Sequence, residues 1–219
     1  MTEFNRREVL GAGIATTAAV AGLAASDATG SPGGQSGASD VRLKGPGAPD
    51  LPPADETYRF PLTKTKPEVV TKGGTVVECT VKNFPAVGES EAAIFLLRME
   101  PGALREPHWH PNAWELEYVV QGKARLGVIT PDGTVDTVEL GPGDVGFVPR
   151  AWGHYIQSIG NNELVMPITF GNKQPDDIGL STFFSGCPTS TFTRTLGLPK
   201  DGLADADKPG KTLFILPKP

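Results

Sequence analysis

The chain has 219 residues, with 20 Lys and Arg against 25 Asp and Glu, and a net charge of −5. That balance, with no basic stripe along the sequence, excludes a nucleic acid as partner, because neutralising phosphates takes clustered Lys and Arg. The length is that of one domain with extensions, and a core of about 110 to 150 residues folds without staples.

Arg6-Arg7 precede a run from Val9 to Ala25 made of Ala, Gly, Val, Leu, Ile and Thr. A charged start, a short apolar stretch and small residues form a secretory pattern. The paired arginines resemble a twin-arginine signal: Leu10 fits it, while Asn5 stands where Ser or Thr is usual and Val9 where Phe is usual. Residues 1–25 are therefore expected to be an export signal, cleaved near Ala21 to Ala28, that sends the protein to the periplasm or the exterior. A membrane anchor is the other reading, but the run is glycine-broken and short of the roughly 20 apolar residues of a span. Residues 26–56 are rich in Gly, Ser, Pro, Ala and Asp, the composition of a linker that cannot bury enough apolar surface to order itself. The folded domain is expected over 57–219. In an oxidising compartment Cys79 and Cys187 are free to pair, and a buried free thiol at Cys79 is the alternative.

Structure is predicted to start near Thr57 to Pro61. Thr75 to Asn83 alternates as a strand after the Gly73-Gly74 turn. Ala92 to Met99 is almost continuously apolar, as a strand buried on both faces would be. Ala124 to Thr130 and Thr134 to Leu140 flank Pro131-Asp132-Gly133, a hairpin signal. Val145 to Val148, His154 to Ile159 and Leu164 to Phe170 are further strands, separated by Gly- and Asn-rich turns. Of the chain's 27 glycines and 21 prolines, those beyond the N-terminal tail punctuate short strands, which predicts an all-β sandwich or barrel of the jelly-roll type. Beyond Gly171, Ile178 to Phe184 and Thr189 to Leu196 are expected as short helices, and Thr212 to Leu216 as an edge strand.

The chemistry concentrates between Gly102 and Gly122. His108 and His110 are two apart, so on a strand both imidazoles face one side. Pro111-Asn112 marks a turn, and Glu115 and Glu117 share a face of the next strand. His154 is the third and last histidine of the chain. Three imidazoles and a carboxylate leave about two open positions on a six-coordinate ion, the mark of a catalytic metal, and suit Mn2+, Fe, Ni or Zn.

Gly102, His108, His110, Glu115 and Gly122 have the spacing G-x5-H-x-H-x4-E-x6-G, and Gly143, Pro149 and His154 follow as a second motif. This pair resembles the cupin superfamily. The second motif departs from the family at Ala151, where glycine is expected, and at Ser158, where asparagine is expected; neither position is a metal ligand there. Within the cupins the run Pro101 to His110 is most similar to oxalate decarboxylases. That resemblance implies Mn2+ held by His108, His110, Glu115 and His154, oxalate as substrate and dioxygen assisting its one-electron oxidation. Carbon dioxide then leaves, and an acid protonates the remaining formyl radical anion to give formate. It implies that Arg105 holds the oxalate carboxylate, bidentate geometry being what a guanidinium offers; a surface salt bridge with Glu106 is the alternative.

The family's lid glutamate has no counterpart in Lys173 to Phe183. Asp176 or Asp177 can take its place as the acid, or cap a helix start. Glu117, about 7 Å along the strand from Glu115, can serve as a buried acid or brace a ligand histidine. The resemblance also offers an alternative that the missing acid favours, an oxalate oxidase releasing hydrogen peroxide. The single barrel also fits a second class, a germin-like binding or superoxide-scavenging cupin. The resemblance further implies homo-oligomers paired through barrel edge strands.

Overall fold

Two antiparallel sheets close around one core in this computed structural model, which describes residues 46–47, 57–204, 208–210 and 212–219. The expected export signal and all but two residues of the expected linker lie outside the described residues. The first sheet holds β1 (Val69–Val70), β2 (Gly74–Cys79), β3 (Ala93–Met99), β5 (Glu115–Tyr118), β8 (Val145–Val148) and β10 (Leu164–Phe170), in the order β1-β2-β3-β10-β5-β8. The second holds β4 (Leu104–Trp109), β6 (Ala124–Ile129), β7 (Val135–Leu140), β9 (Gly153–Ser158) and β11 (Ile178–Gly179), in the order β11-β4-β9-β6-β7. β12 (Ile215–Leu216) also pairs with β4, alongside Arg105 and Leu104. This is the all-β jelly roll that the turn spacing predicts.

Alternation decides which side chains enter. On β5, Glu115 and Glu117 are buried while Leu116 and Tyr118 are exposed; on β9, His154, Ile156 and Ser158 are buried. The interior is filled by Val76, Leu97, Met99, Leu126, Ile156 and Met166, among others. Burying each such side chain stabilises the fold by about 1.5 to 3 kcal/mol. On the outer side of the sheet Phe60 and Leu62 cover Val77, Leu96 and Val165, but Ile94 and Arg98 of β3 are only half-buried, so β3 is not buried on both faces along its length as expected. Cys79 is buried and Cys187 half-buried, and both are free thiols.

The motif glycines have a backbone reason. Gly102 and Gly122, the ends of the first motif, both have φ of +82°, and a Cβ on Gly122 would lie 2.6 Å from the Glu163 carbonyl oxygen. Ala151, where the family's second motif has glycine, makes the same left-handed turn at φ +65°.

β4 is irregular. It pairs Arg105 with Ile156 and His108 with His154, so three steps of β4 match two of β9. This β-bulge falls on Glu106-Pro107, where a proline without N–H costs no ladder bond. The bulge puts Arg105 on the same inner face as His108, which strict alternation would not do.

The C-terminal segment corrects one expectation. Ile178 and Gly179 are not helical; they pair with Trp109 and His108 on the free edge of β4. The helix α1 (Leu180–Gly186) begins only after them, with Gly179 at its N-cap and no side-chain cap. The helix-cap reading of Asp176 and Asp177 is thereby overturned. α2 (Thr189–Thr195) follows as expected.

Candidate metal centre

β4 delivers His108 and, one residue past its end, His110; β5 delivers Glu115; β9 delivers His154. One ligand atom from each lies within 4.8 Å of the others, and all four side chains are buried. The sequence-predicted ligands thus meet at one point. Glu115 Oε1 is 2.6 Å from His110 Nε2 and 2.9 Å from His154 Nε2.

The outer nitrogen of each ring is committed elsewhere. Nδ1 of His108 donates to the Glu106 carbonyl at 2.7 Å, Nδ1 of His110 to the Asp176 carbonyl at 2.6 Å, and Nδ1 of His154 to the Trp152 carbonyl at 3.1 Å. A carbonyl can only accept, so Nδ1 carries the proton and Nε2 of a neutral ring turns its lone pair inward, as a metal ligand requires. Glu115 Oε1 and His154 Nε2 are buried without a hydrogen-bond partner. Converging lone pairs and a buried carboxylate are costly unless a cation lies between them. The donor set therefore fits a divalent ion.

Electrostatics agree. Burial, then the Arg105 charge, holds His108 well below its ordinary pKa. At His110, burial acts downward, but Glu115 outweighs it and raises the pKa. Burial would raise Glu115, yet His154 and His110 hold it well below the usual carboxylate range. His110 and Glu115 are thus shifted in opposite directions, each by the field of the other.

Arg105 lies beside this cluster and is 4% exposed. Its Nη2 donates to Asp177 Oδ2, and Asp177 Oδ2 is 3.9 Å from His110 Nε2. Glu106, the alternative partner, instead accepts from Ser181 and the Phe214 N–H. Burial lowers the Arg105 pKa and Asp177 opposes the shift. Arg105, Asp177, Phe214 and three of the ligands line one cavity of about 20 Å3, room for about one water.

Loop 172–177 is pinned over the cavity by Asn112, which the sequence marks only as a turn. Its side chain donates to the Gln174 carbonyl at 3.1 Å and to Asp176 Oδ2 at 2.9 Å, and accepts from the Asp176 N–H at 2.8 Å. Glu106, turned outward by the bulge, accepts from Ser181 N–H at 2.7 Å, Ser181 Oγ at 2.8 Å and Phe214 N–H at 2.9 Å. It satisfies a first-turn N–H of α1 that no local side chain caps.

Glu117 is not a cavity-lining residue. It is fully buried, neither oxygen has a hydrogen-bond partner, and a Cβ on Gly146 would sit 2.9 Å from its Oε2 beside Leu140 and Leu126. It braces no ligand histidine, since all three Nδ1 atoms bond to main-chain carbonyls. Burial first, then Glu115, raises its pKa well above the ordinary value, so it stays protonated over a wide range.

Known proteins resemble this chain over its barrel. Oxalate decarboxylase OxdC of Bacillus subtilis (strain 168) is 38% identical over 145 residues, covering 66% of this chain and 36% of that protein. An oxalate decarboxylase of Arthroderma benhamiae is 33% identical over 150 residues, covering 67% and 35%. A germin-like protein of Arabidopsis thaliana, subfamily 2 member 2, is 27% identical over 137 residues, covering 60% and 63%. The chain thus spans about a third of the length of these decarboxylases. A structure of the B. subtilis decarboxylase described for its Mn(II) centres superposes with a TM-score of 0.71 at 32% identity, over 81% of this chain and 45% of that one. The family profile described as cupin matches residues 60–200, which take in every ligand of the cluster and both sheets around it: the chain belongs to the cupin family.

Proposed function

We propose that this protein is a Mn2+-dependent, oxalate decarboxylase-like carboxy-lyase, converting oxalate to formate and carbon dioxide. The observation that carries this reading is the buried Arg105 guanidinium sharing one cavity with His108, His110, Glu115 and Asp177. The ion held by His108, His110, Glu115 and His154 would supply a Lewis acid able to exchange one electron, with dioxygen as the auxiliary oxidant.

Arg105 is the group that grips the far carboxylate of the substrate. A cavity that holds one water does not admit a dicarboxylate, so Asp177 must leave Arg105 as oxalate arrives, and loop 172–177 moves with it. Conversion of the oxalate dianion consumes one proton while the carbon–carbon bond breaks. Asp177, partly exposed at the cavity edge, is the proton carrier we assign; Glu117 keeps a proton but stands behind the lining. Export through residues 1–25 and pairing of copies through the barrel's edge strands belong to the same proposal. N-terminal mass analysis of the secreted protein and its sedimentation mass test them.

The alternative is an oxalate oxidase or germin-like cupin, favoured by the lack of a glutamate in the loop. The experiment loads the protein with Mn(II) in mildly acidic buffer with oxalate and air, following formate and hydrogen peroxide together. Formate without peroxide is expected. Peroxide without formate selects the oxidase, and neither product overturns the oxalate reading.

A further inference from the structure

Among the described residues only Ala151 and Phe214 are non-glycine residues with positive φ. Ala151 belongs to a family turn, whereas Phe214, at φ +62°, lies in the C-terminal segment and lines the cavity. A bulky L-residue in the left-handed region is strained, and such strain persists only where the surroundings over-determine it.

Here Glu106 does so from both sides. Its Oε1 accepts the Phe214 N–H at 2.9 Å, and its own N–H donates to the Phe214 carbonyl at 3.0 Å. β12 then ties the following residues to Leu104 and Arg105. The held conformation sets the Phe214 ring 3.7 Å from Arg105 Cζ. A guanidinium stacked on a ring has its plane fixed, so its in-plane donors aim in one direction. In this structure Nη2 aims at Asp177, the carboxylate beside the metal ligands, and Nη1 makes only a long contact of 3.5 Å with the Phe214 carbonyl.

We propose that Phe214 is a positioning residue for Arg105: it fixes the plane of the guanidinium so that the in-plane donors present a two-pronged site to a carboxylate. The proposal rests on the oxalate reading for its ligand but not for its geometry. Leucine at this position would fill similar space and leave the plane held on that side only by the long contact to the main-chain carbonyl of residue 214. Tyrosine would keep the ring.

The test uses the full Mn-loaded chain and three proteins: wild type, Phe214→Leu and Phe214→Tyr. Oxalate binding is measured by calorimetric titration without dioxygen, and KM and kcat in air. Stacking of this kind accounts for a change in affinity of about tenfold. Phe214→Leu is expected to weaken oxalate binding and raise KM by about that factor, with a smaller change in kcat and unchanged Mn content. Phe214→Tyr is expected to match wild type. Leucine behaving as wild type, or tyrosine failing as leucine does, overturns the proposal.

A second readout needs no oxalate. In the metal-free protein the ring current should displace the Arg105 Nε–H proton resonance upfield, in wild type and Phe214→Tyr alike, and Phe214→Leu should return it to its ordinary position. Absence of the displaced signal in wild type also overturns the proposal. Its presence in a protein that does not bind oxalate sinks the substrate reading alone.

Discussion

His108 and His154 take their Nδ1 partners from carbonyls two residues earlier in the chain, Glu106 and Trp152. Arg105, on the other side of the same cavity, takes its partners from Asp177 and Phe214, 72 and 109 residues away. The metal side is therefore written into strands that would orient their ligands wherever the barrel closes. The arginine side exists only when loop 172–177 and the C-terminal segment are docked. His110 joins the two, because its Nδ1 partner is the Asp176 carbonyl in that loop. A fold of this kind can keep its metal while its substrate chemistry changes.

The sharpest way to break the contrast is at the metal side. His154→Ala removes a buried ligand and should cut metal affinity by a hundredfold or more, on the order of a lost inner ligand. Metal analysis after dialysis checks it, and near-stoichiometric metal in the variant would refute the assigned cluster. Asp177→Asn strikes the arginine side, since Asp177 pairs with Arg105 and is not one of the four clustered ligands. It should leave metal content whole and lower formate production by about a hundredfold, as loss of a proton carrier does. Glu106→Gln attacks the docking of that side. Trading a charged acceptor of three donors for an amide should cost about 2 kcal/mol in urea unfolding, again with metal retained.

Glu117 offers a pH test. Its folded pKa lies above the unfolded one, so the folded metal-free protein binds more protons. Stability from this group is full below about pH 4.3 and falls as pH rises toward the raised value, by about 1.4 kcal/mol for each pH unit crossed. Glu117→Gln should abolish that decline, measured by urea unfolding of metal-free protein across about pH 4 to 8. The smallest effect is expected at Ala151→Gly, which relieves a left-handed alanine and should stabilise by about 0.5 kcal/mol; a lowered unfolding midpoint would contradict the turn.

What sequence alone revealed follows the same division. The ligands were legible because motif spacing and period-two alternation are local, as on β5 and β9. Arg105 was reached only through resemblance, since a bulge breaks the alternation that would have placed it. Asp177 looked as much like a helix cap as a site residue, because nothing nearby in sequence says that Gly179 pairs with His108 and delays the helix. Phe214 is legible only as part of the expected edge strand Thr212 to Leu216, because its role depends on a backbone angle imposed by Glu106, 108 residues away.

The bulge at Glu106-Pro107 has one more consequence. In a strand, parity decides which residues see the interior, and β4 changes parity once. Ala103 and Arg105 look inward before the bulge, His108 and His110 after it. Losing one residue there would restore a single frame and still leave Arg105 facing in. Gaining one would also restore the frame, since four steps from Arg105 to His108 are even, but it would slide Arg105 two residues along β9, past Ile156. Tolerance to insertions and deletions in this strand is therefore lopsided: a loss keeps the register of Arg105 against β9, whereas a gain moves the guanidinium away from the ligands without replacing a single amino acid of the site.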